Sequence, residues 1–147
     1  MSLRERLMEE MKGAMKARDD LRLSTIRLVR SAVRNREIEQ KRDLDDSGIC
    51  EIMASLVKQR RESIGLFRDA GRDDLAEKEE RELAVLFEFL PPQLSCDELE
   101  EIVARMIAEC GATECRDMGK VMKAVAPHVA GRADGKTVAE VVRRKLS

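Results

Sequence analysis

An all-helical fold, with an antiparallel bundle of about four helices followed by a three-helix lobe, is what this sequence predicts, on three observations. Aromatic residues are scarce: Trp and Tyr are absent, and only Phe67, Phe87 and Phe89 remain. Strands and base-stacking platforms both rely on such side chains. Leu, Met, Glu, Lys and Arg dominate in their place, and unbranched side chains lose little rotamer freedom in a helix. Helix start and stop signals recur along the chain, with apolar residues at three- and four-residue spacing between them.

Ser2 and Glu5 stand at capping-box spacing. Leu3, Leu7, Met11 and Met15 follow on one face, so a first helix is expected to run to about Ala17. Asp19 or Asp20 opens a second, with Leu23, Ile26, Val29 and Val33 inward, and it fades in the polar run from Lys41 to Asp46. Ser47 is expected to start a third, carrying Ile49, Met53, Leu56, Val57, Ile64 and Phe67 and stopped by Gly71, since glycine readily takes the left-handed position past a helix end. Asp73 caps a fourth with Leu75, Leu83, Leu86 and Leu90 inside. Short connections between helices of this length imply antiparallel neighbours, hence a bundle over residues 1–90.

Leu90-Pro91-Pro92-Gln93-Leu94-Ser95 marks the boundary, because proline cannot continue a helix and pushes its predecessor toward extended backbone. Ser95 and Glu98 form a second capping box, with Leu94 and Leu99 at hydrophobic-staple positions. The fifth helix carries Leu99, Ile102, Val103, Met106 and Ile107 and closes at Gly111. A sixth, through Met118, Val121, Met122 and Val125, is expected from about Thr113 to Ala126, with Pro127 stopping it. A seventh follows the turn Gly131-Arg132-Ala133-Asp134-Gly135 and carries Val138, Val141, Val142 and Leu146. Residues 94–147 thus form a second lobe.

Catalytic chemistry finds little purchase. The single histidine, His128, follows Pro127 in an expected turn, so no Cys–His nucleophile pair is specified. Cys50, Cys96, Cys110 and Cys115 contain no Cys-x-x-Cys pair and lack the spacing of a zinc site. They are expected to be reduced, buried or partly buried structural thiols of a cytoplasmic protein, the charged N-terminal stretch offering neither a secretory signal nor a membrane span. Glu79-Glu80 and Glu100-Glu101 read as exposed helical faces. With no strand there is no Gly-rich phosphate loop. No catalytic residue, metal ligand or cofactor is expected.

Charge is uninformative in total, at −1, but sharply divided in the second lobe. From Pro91 to Cys115 six acids face only Arg105, a balance of −5, whereas Arg116–Ser147 holds eight basic residues and three acids, a balance of +5. Arg27, Arg30, Arg34 and Lys41 form a lesser basic stripe on the second helix. Ordinary solvated faces account for such patterns as well as nucleic-acid contacts do, with Arg143, Arg144 and Lys145 complementing the last helix's dipole.

The stretch Asp117-Met118-Gly119-Lys120-Val121-Met122-Lys123, then Pro127, then Gly131-Arg132-Ala133-Asp134-Gly135-Lys136 with Val138, resembles the signature of the GatB/YqeY family. Leu90-Pro91-x-Gln93-Leu94 ahead of it, and Arg60 with Ala70-Gly71-Arg72, extend the resemblance to stand-alone YqeY-like proteins over essentially the whole chain. In that family the same helical and tail region ends the B subunit of tRNA-dependent Asp/Glu amidotransferases, a carbon–nitrogen ligase using glutamine as amido donor. There it is associated with gripping tRNA while catalysis resides elsewhere.

The resemblance therefore implies a non-catalytic accessory protein for structured RNA, tRNA above all, bound through Lys120, Lys123, Arg132 and Lys136, and the basic balance of the same stretch adds Arg143 and Arg144 to the expected contacts. Gly119, Met122, Gly131, Asp134 and Gly135 are the expected structural members of the motif. Met122 is expected in the core, Asp134 as a cap, and the turn glycines as a source of backbone N–H groups for an anion. Two alternatives stand beside this. One is an adaptor that docks a protein such as an amidotransferase or aminoacyl-tRNA synthetase through its acidic and basic faces, helped by exposed Leu28 or Val85. The other is an auxiliary part of the glutamine-dependent ligase, with the catalytic subunits on other chains.

Overall fold

Two serines set the opening of each half of the chain. The Ser2 and Ser95 hydroxyls accept the N–H of Glu5 and Glu98, each at 3.2 Å. The glutamates return to the serine N–H groups at 3.2 and 3.3 Å. Both capping boxes are thus complete, and each satisfies amides that the first helical turn leaves unpaired.

The computed structural model describes residues 1–147 and is entirely helical. It divides into two compact units, Met1–Pro91 and Pro92–Ser147. The first holds α1 (Leu3–Ala17), α2 (Asp20–Gln40), α3 (Asp46–Asp69) and α4 (Asp73–Phe89). Ion pairs show the directions. Arg22 meets Glu10 while Arg4 meets Glu37, so α1 and α2 are antiparallel. Arg60 meets Glu82 while Arg68 meets Glu80, so α3 and α4 are too. Ile26, Val29, Ile49, Met53 and Leu86 are sealed at the centre of this bundle.

Apolar periodicity overstates the core at two ends. Met15, expected inside, is 51% exposed. Ile64 and Phe67 are only half-buried, on the stretch of α3 where Arg60–Glu82 and Arg68–Glu80 pair across to α4. Two helix starts also move. Asp45, not Ser47, opens α3 by accepting the Gly48 N–H at 2.9 Å. Asp73 is the first residue of α4 rather than its cap; Arg72 holds the cap position and turns its guanidinium to Asp74.

The second unit holds α5 (Cys96–Cys110), a 3-10 turn (Cys115–Asp117), α6 (Met118–Val129) and α7 (Gly135–Leu146). Its core is valine-rich, with Val103, Val121, Val125 and Val142 fully buried. α6 starts later than expected because the Asp117 carboxylate folds back onto the N–H groups of Thr113 and Glu114, at 3.1 and 3.3 Å, and holds residues 113–117 as a turn. It also ends later. Pro127 lies inside the last turn, where its missing N–H deprives only the Lys123 carbonyl of its usual donor. The helix goes on to bury Val129, and His128 is exposed on that last turn rather than in a loop.

Candidate nucleic-acid interface

The extended segment Pro92–Leu94 is clasped to the α6–α7 turn. The Leu94 N–H donates to the Arg132 carbonyl at 2.8 Å, Gln93 Nε2 to the Gly131 carbonyl at 2.8 Å, and Arg132 Nε to the Pro92 carbonyl at 3.2 Å. Gly131 is buried with φ of 72°, a backbone that side chains avoid. Two pieces of motif 40 residues apart in sequence are therefore one structural joint.

That joint corrects the expected anion cradle. The Arg132 and Ala133 N–H groups both donate to the Val129 carbonyl, at 2.8 and 3.2 Å, so they do not face a ligand. Arg132 is half-buried and positions the turn. Gly135 is no turn glycine, since it begins α7 without positive φ. Asp134 sits at the cap position of α7, but its side chain makes no capping bond. Arg144 is not a free cation either, for it pairs with Glu100 of α5. Met122 packs half-buried against the lobe's core, on the inner side.

Lys120, Lys123, Lys136 and Arg143 remain exposed and make no ion pair. Lys120 and Lys123 lie one turn apart on α6, so their Cβ atoms are about 5–6 Å apart. Lys136 and Arg143 lie seven residues apart on α7, roughly 10 Å along its axis. Beside Lys120, Gly119 has no atom of the chain within 4 Å of where a Cβ would stand, so bare helical backbone faces outward there.

A sequence signal for this site lay in the helix openings. Every helix from α1 to α5 carries an acid in its first turn, as the dipole favours. α6 and α7 carry none; they place Lys120 and Lys136 there, and neither has a side-chain cap. At the start of α7 first-turn N–H groups and a lysine lie together, a combination suited to phosphate oxygens; at α6 the Met118 N–H is already taken by the Cys115 carbonyl at the end of the 3-10 turn, and Lys120 stands as the exposed cation. Asp117, at the cap position of α6, is held below the usual carboxylate range by the Thr113 and Glu114 N–H groups and, less, by the charges of Arg116 and Lys120; Asp134 stands at the same position before Lys136.

Nucleophile chemistry is not assembled. Cys50 is half-buried, and desolvation pushes its thiol up, helped by the charge of Asp46. Cys96 and Cys115 are exposed rather than partly buried, and all four thiols are free. Nowhere do three His, Cys, Asp or Glu side chains converge as metal ligands would. Glu79 departs from the expected exposed face, with one carboxylate oxygen sealed from water without a partner. Val85 is 9% exposed and belongs to the core, whereas Leu28 is 39% exposed; Ile38, at 65%, and Leu66, at 69%, are further exposed apolar residues that the adaptor alternative can stand on.

The fold and this surface define a class: small all-helical proteins with a capped helical bundle and a three-helix tail that presents lysines at helix starts. The chain belongs to the YqeY-like protein family, whose model matches residues 4–146. It is similar to the fungal mitochondrial protein named altered inheritance of mitochondria protein 41. The Kluyveromyces lactis form is 36% identical over 111 residues, covering 74% of this chain and 60% of that protein. The Lachancea thermotolerans form is 37% identical over 106 residues, 70% of this chain and 57% of that protein. The Pyrenophora tritici-repentis form is 31% identical over 130 residues, 87% of this chain and 71% of that protein. The chain thus matches little more than half the length of the first two. The names place these relatives in mitochondria, and the cytoplasmic expectation gains no support from them. No helix is long and apolar enough to cross a membrane.

Proposed function

We propose that this chain is an accessory protein that binds structured RNA, tRNA in the first place, through the exposed basic surface of α6 and α7. Lys120, Lys123, Lys136 and Arg143 supply the contacts, while Arg132 holds the α6–α7 turn and Arg144 pairs with Glu100. The observation that carries the reading is that the first turns of α6 and α7 hold a lysine and no acid, whereas those of α1 to α5 each hold an acid. The resemblance of the 117–138 motif to the tail of the amidotransferase B subunit supports tRNA over other anions. Without aromatic side chains in this lobe, recognition is of phosphate backbone and shape rather than of base sequence.

The test is a salt titration of tRNA binding by the purified protein and by the variant K120E/K123E/K136E. Each lost phosphate contact lowers the slope of log K against log salt by about 0.7–0.9. The variant should therefore lose about two units of slope and most of its affinity while keeping its helical circular dichroism. Equal slopes would refute this interface. No binding by the parent protein at low salt would turn the same surface into a docking face for an acidic protein partner.

A further inference from the structure

The first unit contains an arginine-lined groove that the α6–α7 surface does not account for. It encloses about 520 Å³ between α1, α2 and the start of α3, within the range of about 300–1,000 Å³ typical of small-molecule sites. Its floor is apolar, formed by Leu7, Met8, Val33 and Ile49, and its rim carries Arg4, Arg27, Arg30 and Arg34. Glu37 is the only acid on it, so four positive charges meet one negative, a balance of +3.

Glu37 cannot neutralise the rest. Its carboxylate accepts the Leu44 N–H at 2.8 Å and pairs with Arg4, and these two contacts, in that order, hold it below the usual carboxylate range. Arg30 has only the Met11 thioether, at 2.9 Å, and Arg27 and Arg34 make no hydrogen bond or ion pair. Elsewhere in the same unit Arg22, Arg60, Arg68 and Arg72 each meet a carboxylate, and the arginines that do not, such as Arg18, Arg61 and Arg81, do not line this groove. Arg27, Arg30 and Arg34 instead stand at i, i+3 and i+7 on one face, where like charges repel. They span about 10 Å of helix axis.

We propose that this groove binds an organic pyrophosphate, with the two phosphates held by Arg27, Arg30 and Arg34 and the uncharged body laid on Leu7, Met8, Val33 and Ile49. A single carboxylate would leave most of the +3 balance unmatched. Two linked phosphates offer both the charge and enough oxygens for the forked geometry of several guanidiniums. Ser31, also on the groove, adds a hydroxyl donor.

Titration calorimetry at low salt tests this with inorganic pyrophosphate, orthophosphate, ADP and geranyl pyrophosphate, on the parent protein and on R27Q/R34Q. Both arginines are exposed, so the variant should fold; an R81Q control changes an exposed arginine of α4 away from the groove. Saturable pyrophosphate binding, tighter than orthophosphate and weakened at least about tenfold in R27Q/R34Q alone, is the expected result. The tighter of ADP and geranyl pyrophosphate then identifies the body, nucleoside or hydrocarbon. Absence of pyrophosphate binding, or binding untouched by R27Q/R34Q, overturns the proposal. It is equally overturned if R27Q/R34Q weakens tRNA binding while pyrophosphate does not bind, for the groove is then part of an RNA footprint. K120E/K123E/K136E should leave pyrophosphate binding intact, which separates this site's failure from failure of the RNA surface.

Discussion

Replacing Arg132 by Met separates a structural arginine from an RNA-binding one. Its Nε bond to the Pro92 carbonyl is 3.2 Å long and lies at the surface, beside the Leu94 and Gln93 bonds that hold the same segment. A buried hydrogen bond from a charged group contributes about 1.5–3 kcal/mol; solvent competition at this half-exposed position brings the expected loss to roughly 1 kcal/mol. Met keeps much of the side-chain volume, so no cavity opens. The assay has two arms on the same protein: urea unfolding for stability, and the salt slope of tRNA binding for charge contacts. R132M should unfold at lower urea with an unchanged m-value and keep the parent slope, whereas K120M should keep its stability and lose about one unit of slope. If a folded R132M loses as much slope as K120M with no change in stability, Arg132 contacts RNA and the clasp reasoning is wrong.

Acid should destabilise the protein, and the sign follows from which carboxylates are depressed. Glu37, Asp74, Glu98 and Asp117 all lie below their ordinary values because N–H groups, a hydroxyl or a guanidinium favour their charged forms. The folded state then holds fewer protons than the unfolded one, so the stabilisation is complete above the ordinary carboxylate range and is lost as pH falls below about 4. Urea midpoints at pH 7, 5 and 3 check this; equal midpoints at 5 and 3 would contradict it. The motif glycines should respond oppositely to alanine. Gly131→Ala forces a side chain into a left-handed backbone and should cost about 1 kcal/mol, whereas Gly135→Ala, without positive φ and with open space around it, should stabilise by about 0.5–1 kcal/mol. Thermal unfolding of the two variants ranks them, and a stabilising Gly131→Ala would count against the turn described here.

The helices were legible because their signals are local. Both capping boxes act over three residues, and both are realised in full. Gly71 and Gly111 stop their helices in the left-handed conformation for the same reason. What was not legible depends on partners far along the chain. Arg132 and Arg144 looked as free as Lys120, and only the fold brings them to Pro92 and Glu100, 40 and 44 residues away. Val85 looked exposed on a polar face, yet it packs with the core of the first unit. Pro127 was misjudged on a different ground: proline forbids a helix interior more strongly than its final turn, where burial of Val129 offsets one missing hydrogen bond.

The distinction between paired and unpaired cations is what makes the remaining ones informative. With 28 basic and 29 acidic residues the chain has nearly enough of each sign to neutralise all of its charges in pairs. A minority of the cations do so: Arg4, Arg22, Arg36, Arg60, Arg68, Arg72, Arg116 and Arg144 each meet a carboxylate. Among the cations without a carboxylate, two groups stand where they cost stability: Lys120 and Lys136 in the first turns of α6 and α7, and Arg27, Arg30 and Arg34 against each other on one face of α2. Both groups depart from local rules, and sequences tend to depart from them where a surface has other work. On the two proposals made above, a separate anion relieves each conflict, at the lysine-bearing helix starts in one unit and in the arginine groove in the other. The two sites differ in form: the first is an open surface suited to a polymer's phosphates, and the second a groove with an apolar floor suited to a small molecule.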